Sequence, residues 1–341
     1  MRFRHLLLAA LFLGASSMLL ADVFALPSPD PPLADHHMHI RSDDATDAFI
    51  TLLKELEGRT VDDLEGATGA SDILTRLDAA GVRYGVLLSV AYFFGAPDVE
   101  FENEQARVRS ENRYVGDQAA VAPDRLVAFC SVNPLAEYAM EEVRWCGENE
   151  SITGLKLHLA NSDVDLRKAE HVDVLREIAE LANDLGLPVV AHIYTRHPEY
   201  GYEDAEVFIS EILPVLTDVP VQVAHLGGPG PFRDAAASAS QAFVDAFEEK
   251  PEVLSNVYFD LAEVLIPAER AGDDEEVRQA IESMNAAAVE QIRALGPERI
   301  LYGSDWIFDR ETSEYVDVVS NVPLPEDLLN KIASNRAPYL P

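Results

Sequence analysis

Lysine is almost missing from this sequence. Five occur in 341 residues, at Lys54, Lys156, Lys168, Lys250 and Lys331, and lysine and arginine together number 26 against 60 aspartates and glutamates. The formal charge of −34 argues against nucleic acid and anionic membrane as partners, because both attract a positive surface. The acids are spread through helical stretches and form no acidic tail. Two readings follow: a solvated, self-repelling surface, or adaptation to high salt, where counterions screen the repulsion. The shortage of lysine favours the second. Cysteine is nearly absent too, with only Cys130 and Cys146. An exported protein could oxidise them. With Cys130 in an expected strand and Cys146 late in the following helix, two buried free thiols are the preferred expectation and a disulfide the alternative.

Long apolar runs are lacking except at the start. Arg2, Arg4 and His5 precede the run Leu6 to Leu20, and Val23-Phe24-Ala25 offers small residues where a signal peptidase cuts. Pro27, Pro29, Pro31 and Pro32 then make a stiff linker. Residues 1–25 are read as a secretory signal peptide, with an uncleaved anchor as the alternative. The remaining 26–341 are read as one soluble domain, periplasmic or extracellular, with no stable membrane insertion after cleavage. A homo-oligomer is compatible with this reading. No cysteine near the cleavage region offers itself for lipid attachment.

What is present is an alternation. Apolar, β-branched runs occur at 33–40, 85–90, 126–132, 152–159, 187–193, 219–228, 256–263 and 299–306. Acid-rich amphipathic stretches, such as 172–186 and 238–250, lie between them. Gly186 with Pro188, and Gly296 with Pro297, stop a helix just before a strand. Alternating strands and helices imply parallel strands with right-handed crossovers. Eight such units fit an α/β fold of the (β/α)8 TIM-barrel class, with its active site at the carboxyl ends of the strands. A doubly wound open sheet is disfavoured, because no glycine-rich phosphate loop follows the first strand. The segment Gly227-Gly228-Pro229-Gly230-Pro231 also lacks the helix-start context of a phosphate cradle.

Several of these strands carry residues that a barrel interior does not tolerate without pairing or a metal. His37 and His39 are two apart, so a strand points both to one face. His192, His225 and Asp305 end the fifth, sixth and eighth runs. A lone histidine there would be a satisfied core residue, and Asp305 alone a helix cap. Together the five stand at one end of the barrel, where imidazoles and a carboxylate can hold a divalent cation. Lys156 and His158 share a parity in the fourth strand and should both face inward. Tyr92, Phe93 and Phe94 follow the second strand and could form an apolar wall. Asp260 and Glu263, after the seventh, are weaker candidates for substrate contact. His36 and His197 have no supporting parity or position.

The sequence resembles the amidohydrolase superfamily, in its amidohydrolase-related (amidohydrolase 2) branch. The likeness rests on Asp35-x-His37-x-His39 and on the segments PDRLVAF, GLKLHL, PVVAHI, VAHLGG, NVYFDL, ILYGSDW and the terminal SNRAPYLP. Ile307 replaces the proline that usually follows the Asp-Trp pair. The resemblance implies a metal-dependent hydrolase acting on a C–N, C–O or related bond of a small molecule. In this reading His37, His39 and Asp305 hold one ion, and His192 joins them in mononuclear members. His225 contacts a second ion or polarises the attacking water. Lys156 is either a carboxylated bridge between two ions, a free charge facing an anionic substrate, or a buried structural ion pair, and His158 is a substrate contact. Zn²⁺ suits such ligands, with Mn²⁺ or Fe²⁺ as alternatives and one or two ions per chain. A divalent ion lowers the pKa of the water it holds from 15.7 to about 7. Asp305 would take that proton and pass it to the leaving group. A non-hydrolytic decarboxylase of an aromatic or muconate-like acid, on the same scaffold, is the second reading.

Overall fold

A computed structural model describes residues 30–58, 66–306 and 311–341. The expected signal peptide and Ile307 lie outside the described residues. Pro31–Pro341 form one compact unit. The elements alternate as β1 (Ala34–His39), α1 (Asp43–Glu57), α2 (Ala70–Ala80), β2 (Tyr84–Leu88), α3 (Glu104–Ala119), β3 (Leu126–Ser131), α4 (Ala139–Glu148), β4 (Gly154–His158) and α5 (Ala169–Asp184). They continue as β5 (Val189–His192), α6 (Tyr202–Val207), β6 (Val221–Val223), α7 (Asp234–Glu249), β7 (Val257–Asp260), α8 (Glu275–Leu295), β8 (Ile300–Leu301), α9 (Thr312–Ser320) and α10 (Glu326–Ala333). The eight strands pair in sequence order, every pair parallel. The seam is closed by the segment after β8. His36 N–H donates to Tyr302 O at 2.9 Å, Asp305 N–H to His37 O at 2.8 Å and His39 N–H to Trp306 O at 2.7 Å. This is a (β/α)8 TIM barrel.

Local sequence explains the elements. In α5, Val172, Leu175, Ile178, Ala179 and Ala182 are buried, the stripe that a 3.6-residue period puts on one face. Ser42 caps α1 by accepting from the Ala45 amide. Burying a side chain of this size contributes about 1.5–3 kcal/mol, and the apolar residues divide into two clusters. One lies between the barrel and its helices. The other fills the barrel with Val86, Leu88, Val127, Phe129 and Val190, joined by Leu340 from the C-terminal tail. Among the described residues no helix is long and apolar enough to cross a membrane.

Three expectations need correction. The sixth strand ends at Val223, so His225 lies in a tight turn beyond it. The eighth strand is two residues long, and Asp305 sits in the irregular seam segment. In both places a left-handed residue breaks the strand where the chain bends into the mouth. Cys130 and Cys146 form a disulfide and are not free thiols. Val127 and Phe129 face the barrel interior, so Cys130 points outward to the end of α4. The two Cα atoms are 6.3 Å apart, a separation that a disulfide spans. Sequence spacing gave no measure of that approach.

Candidate metal centre

β1 enters the site through an irregularity. Asp35 pairs with Gly85 and Met38 with Leu87, so three steps on one strand face two on the other. Such a bulge re-aims side chains. His36 turns away from the site, its Nδ1 2.9 Å from the Tyr302 carbonyl and its Nε2 accepting from the Ala337 amide at 3.2 Å. Asp35 ties the seam together, accepting from the amides of His37 and Ser304, both at 3.1 Å, and from the Tyr315 hydroxyl at 3.0 Å. A Cβ on Gly303 would stand 2.8 Å from the Cβ of His37, so glycine is what lets this segment lie against the histidine.

The histidine rings are oriented by their outer nitrogens. His37 Nδ1 is 2.9 Å from Asp260 Oδ2, His39 Nδ1 3.2 Å from Leu88 O and His225 Nδ1 2.6 Å from Ala262 O. A neutral imidazole donating from Nδ1 keeps its lone pair on Nε2, the arrangement of a metal-ligating histidine. The Nε2 atoms of His37 and His39 converge on Asp305 Oδ1, at 3.2 and 3.3 Å. His192 ends β5 level with His158. Among the described residues its buried Nδ1 has no hydrogen-bond partner, and its ring stacks on His158 with centroids 4.0 Å apart and stands 5.0 Å from His225. Lys156 Nζ is 3.4 Å from His37 Nε2.

Electrostatics favour neutral rings around an ionised carboxylate. Burial pushes His37 down to about 4, and Lys156 pushes the same way against Asp260 and Asp305. Burial also lowers His39, and holds His158 and His192 well below the ordinary imidazole range. Burial lowers Lys156 to about 8. Burial alone would raise Asp305 and Asp260, but the histidines outweigh it, His37 foremost, and both carboxyls stay ionised.

Among the described residues two groups bring donor atoms within 4.8 Å of one another: His37, His39 and Asp305, and His37, His225 and Asp260. Hydrogen bonds decide between them. Asp260 accepts from His37 Nδ1, from Gln222 Nε2 at 2.6 Å, and from the amides of His225 at 2.9 Å and Ala262 at 3.2 Å. Those four bonds occupy its oxygens. Among the described residues Asp305 has only the two Nε2 atoms, and its side chain is 25 % exposed. The first triad therefore fits a divalent cation, with the unpartnered nitrogen of His192 a further donor of the right chemistry. Non-glycine residues hold left-handed backbone here: Asp305 at φ 54°, His225 at 53° and Leu226 at 51°. Each costs roughly 1–2 kcal/mol, and strain of this kind gathers at functional sites.

The triad opens into a cavity of about 220 Å³. Phe49, Tyr92, Phe93, Lys156, His158 and Asn161 line it beside the triad. The six residues that the sequence offers as metal ligands thus meet the expected substrate contact His158 in one cavity, which the weaker contact candidates Asp260 and Glu263 do not line. Phe94 does not belong to the wall, since it is buried against Phe101 at 5.7 Å. Glu263 lines a separate cleft beside Tyr302 and Arg270. His197 stays in a local turn, accepting from the Glu199 amide. Asp260, from the sequence a weaker candidate for substrate contact, is the fully buried anchor of His37 and His225. Its signal was an acid at an inward position of an otherwise apolar strand. Phe49 comes from α1 and had no such signal.

The family model described as Amidohydrolase matches residues 34–335. No curated protein matches the chain in sequence. Among solved structures, it resembles 5-carboxyvanillate decarboxylase from Sphingomonas paucimobilis at 15 % identity and a TM-score of 0.58, over 89 % of this chain and 96 % of that one. It also resembles a protein assigned as a 2-pyrone-4,6-dicarboxylic acid hydrolase from Pseudomonas putida, at 19 % and 0.54, over 88 % and 94 %. A third is an amidohydrolase from Burkholderia multivorans with bound zinc, at 14 % and 0.50, over 84 % and 90 %. At these identities the likeness is one of fold, while the family match spans most of the sequence: the chain belongs to the amidohydrolase family.

Proposed function

We propose that this enzyme is an exported, metal-dependent hydrolase of a small molecule, with one divalent cation, zinc first, held by His37, His39, Asp305 and His192. The observation that carries it is the meeting of two lone-pair-bearing Nε2 atoms on one carboxylate oxygen. When bound, the cation supplies the positive charge that makes water acidic at neutral pH and stabilises negative charge on the substrate. Zinc suits histidine and carboxylate donors, and Mn²⁺ or Fe²⁺ share them.

The chain's own residues do the rest. Asp305 is ionised and partly open to the cavity, so it accepts the proton of the attacking water and returns it to the leaving group. His225, with Nδ1–H fixed on Ala262 O, presents an accepting Nε2 and orients that water. It does not donate to a substrate oxygen while neutral. Lys156 lies where an ammonium would compete for the His37 lone pair. In the one-ion reading it swings off His37 and meets an anionic group of the substrate beside His158. Two ions per chain would assign a carboxylated Lys156 in its place. Export is supported by the amino-terminal pattern and by the disulfide, which belongs to an oxidising compartment.

The stacked rings of Phe49 and Phe93, 5.1 Å apart and 17° from parallel, favour a planar substrate and keep the decarboxylase reading in play. Metal analysis of purified protein, followed by product analysis on lactones, esters, amides and aromatic carboxylates, separates the two. Hydrolysis products with about one zinc per chain are expected. Release of CO₂ from an aromatic acid establishes the second reading, and protein that holds neither zinc nor manganese ends both.

A further inference from the structure

We infer that Tyr339, in the C-terminal tail at the floor of the barrel, is a positioning residue for His37 and His225, acting through Gln222 and Asp260. The inference rests on the metal site proposed above. The tail beyond α10 folds back beneath the strands. Ala337 N–H is bound by His36 Nε2, and Leu340 is buried in the barrel interior with Ala34, Val127 and Phe129. The Tyr339 ring meets Phe129 edge-on at 5.0 Å. Phe129 can lie there because position 154 is glycine, where a Cβ would stand 2.3 Å from the Phe129 ring.

From this floor a continuous hydrogen-bond chain rises to the mouth. The Tyr339 hydroxyl donates to Gln222 Oε1. Gln222 Nε2 donates to Asp260 Oδ2 at 2.6 Å and to the His36 carbonyl at 3.2 Å. Asp260 Oδ2 accepts from His37 Nδ1 at 2.9 Å, and Oδ1 accepts from the His225 amide at 2.9 Å. The polarity of the chain is forced. The His36 carbonyl can only accept and Asp260 Oδ2 meets His37 Nδ1, so the Gln222 amide must turn its NH₂ towards them. The carbonyl of Gln222 then points down, and the Tyr339 hydroxyl is the donor that meets it. Without that hydroxyl the amide keeps one orientation only at the expense of an unsatisfied buried oxygen. Rotation of the amide would bring its oxygen against the carboxylate that aligns His37. Asp260 also pins the backbone of His225 in its left-handed turn, so one loosened carboxylate disturbs two histidines.

The test uses Tyr339→Phe, which removes only the oxygen, and Leu340→Ala, which opens a cavity in the same plug without touching the chain. Zinc dissociation constants are measured by chelator competition, visible spectra on the cobalt-substituted proteins, and thermal unfolding on the metal-free proteins. Tyr339→Phe should weaken zinc binding about tenfold, the effect of losing an outer partner of a ligand. It should alter the cobalt spectrum, while metal-free unfolding falls by only the few degrees that one unsatisfied buried oxygen costs. Leu340→Ala should lower the unfolding temperature and leave zinc affinity within about twofold of wild type. Wild-type zinc affinity and cobalt spectrum in Tyr339→Phe overturn the inference alone, as does an equal loss of affinity in both variants. Wild-type protein that binds neither ion overturns the metal reading and this inference with it.

Discussion

The two ends of the barrel solve the same backbone problem with different residues. At the floor the chain turns from helix into strand through Gly81, Gly186 and Gly296, at φ 74°, 69° and 96°. Glycine adopts this region without steric cost. At the mouth the chain leaves β6, β7 and β8 through His225, Leu226, Glu263 and Asp305, at φ 51–54°. Side chains are kept there despite the strain. Barrel folds separate stability at the bottom from chemistry at the top, and here the separation is written in which residues take positive φ. The mouth accepts backbone cost to aim a carboxylate and an imidazole. The floor has nothing to aim and avoids the cost.

The sharpest way to break this contrast is Asp305→Gly, which relaxes the backbone and removes the ligand. Zinc affinity should fall at least about 100-fold by equilibrium dialysis, and activity with it, while thermal stability of the metal-free protein holds or rises. A loss of folding with no selective loss of zinc would show Asp305 to be structural. The disulfide lies on the outer layer, between β3 and α4, and closes a short loop. Its removal in Cys130→Ser/Cys146→Ser should cost about 3 kcal/mol in urea unfolding with zinc content unchanged.

Acid should act on the seam that joins the two ends. Burial lowers His36 to about 4 from 6.5, so the folded chain keeps it neutral while the unfolded chain takes up a proton below 6.5. The stabilisation is full above 6.5 and is lost as pH falls towards 4, amounting to about 2 kcal/mol between pH 7 and pH 5. Unfolding of wild type and His36→Asn at both pH values isolates it: the difference between them should shrink by that amount at pH 5. The smallest effect is expected at the floor. Gly186→Ala places a Cβ in open space at φ 69° and should cost about 1 kcal/mol through backbone strain alone, without altering zinc affinity.

Reading the sequence went furthest where a rule of period applied. Strand parity placed His37 with His39 and Lys156 with His158, because a strand alternates its faces whatever surrounds it. Eight alternating units gave the barrel for the same reason. The reading failed where the chain departs from its period. The end of the sixth strand, the two-residue eighth strand and the bulge at Asp35–Met38 all turn on close approaches between distant segments. Asp260 looked like a mouth residue because nothing local says that His37 will donate to it.

The amino-acid sequence by itself determined the ligand types, their spacing, the barrel and the family, since these follow from local periodicity and from side chains that are costly to bury unpaired. Only the tertiary structure decided which nitrogen of each histidine faces the cavity, which of two aspartates is free to bind, and whether the two cysteines meet. Those depend on hydrogen bonds and packing between residues far apart in the chain, set when the barrel closes.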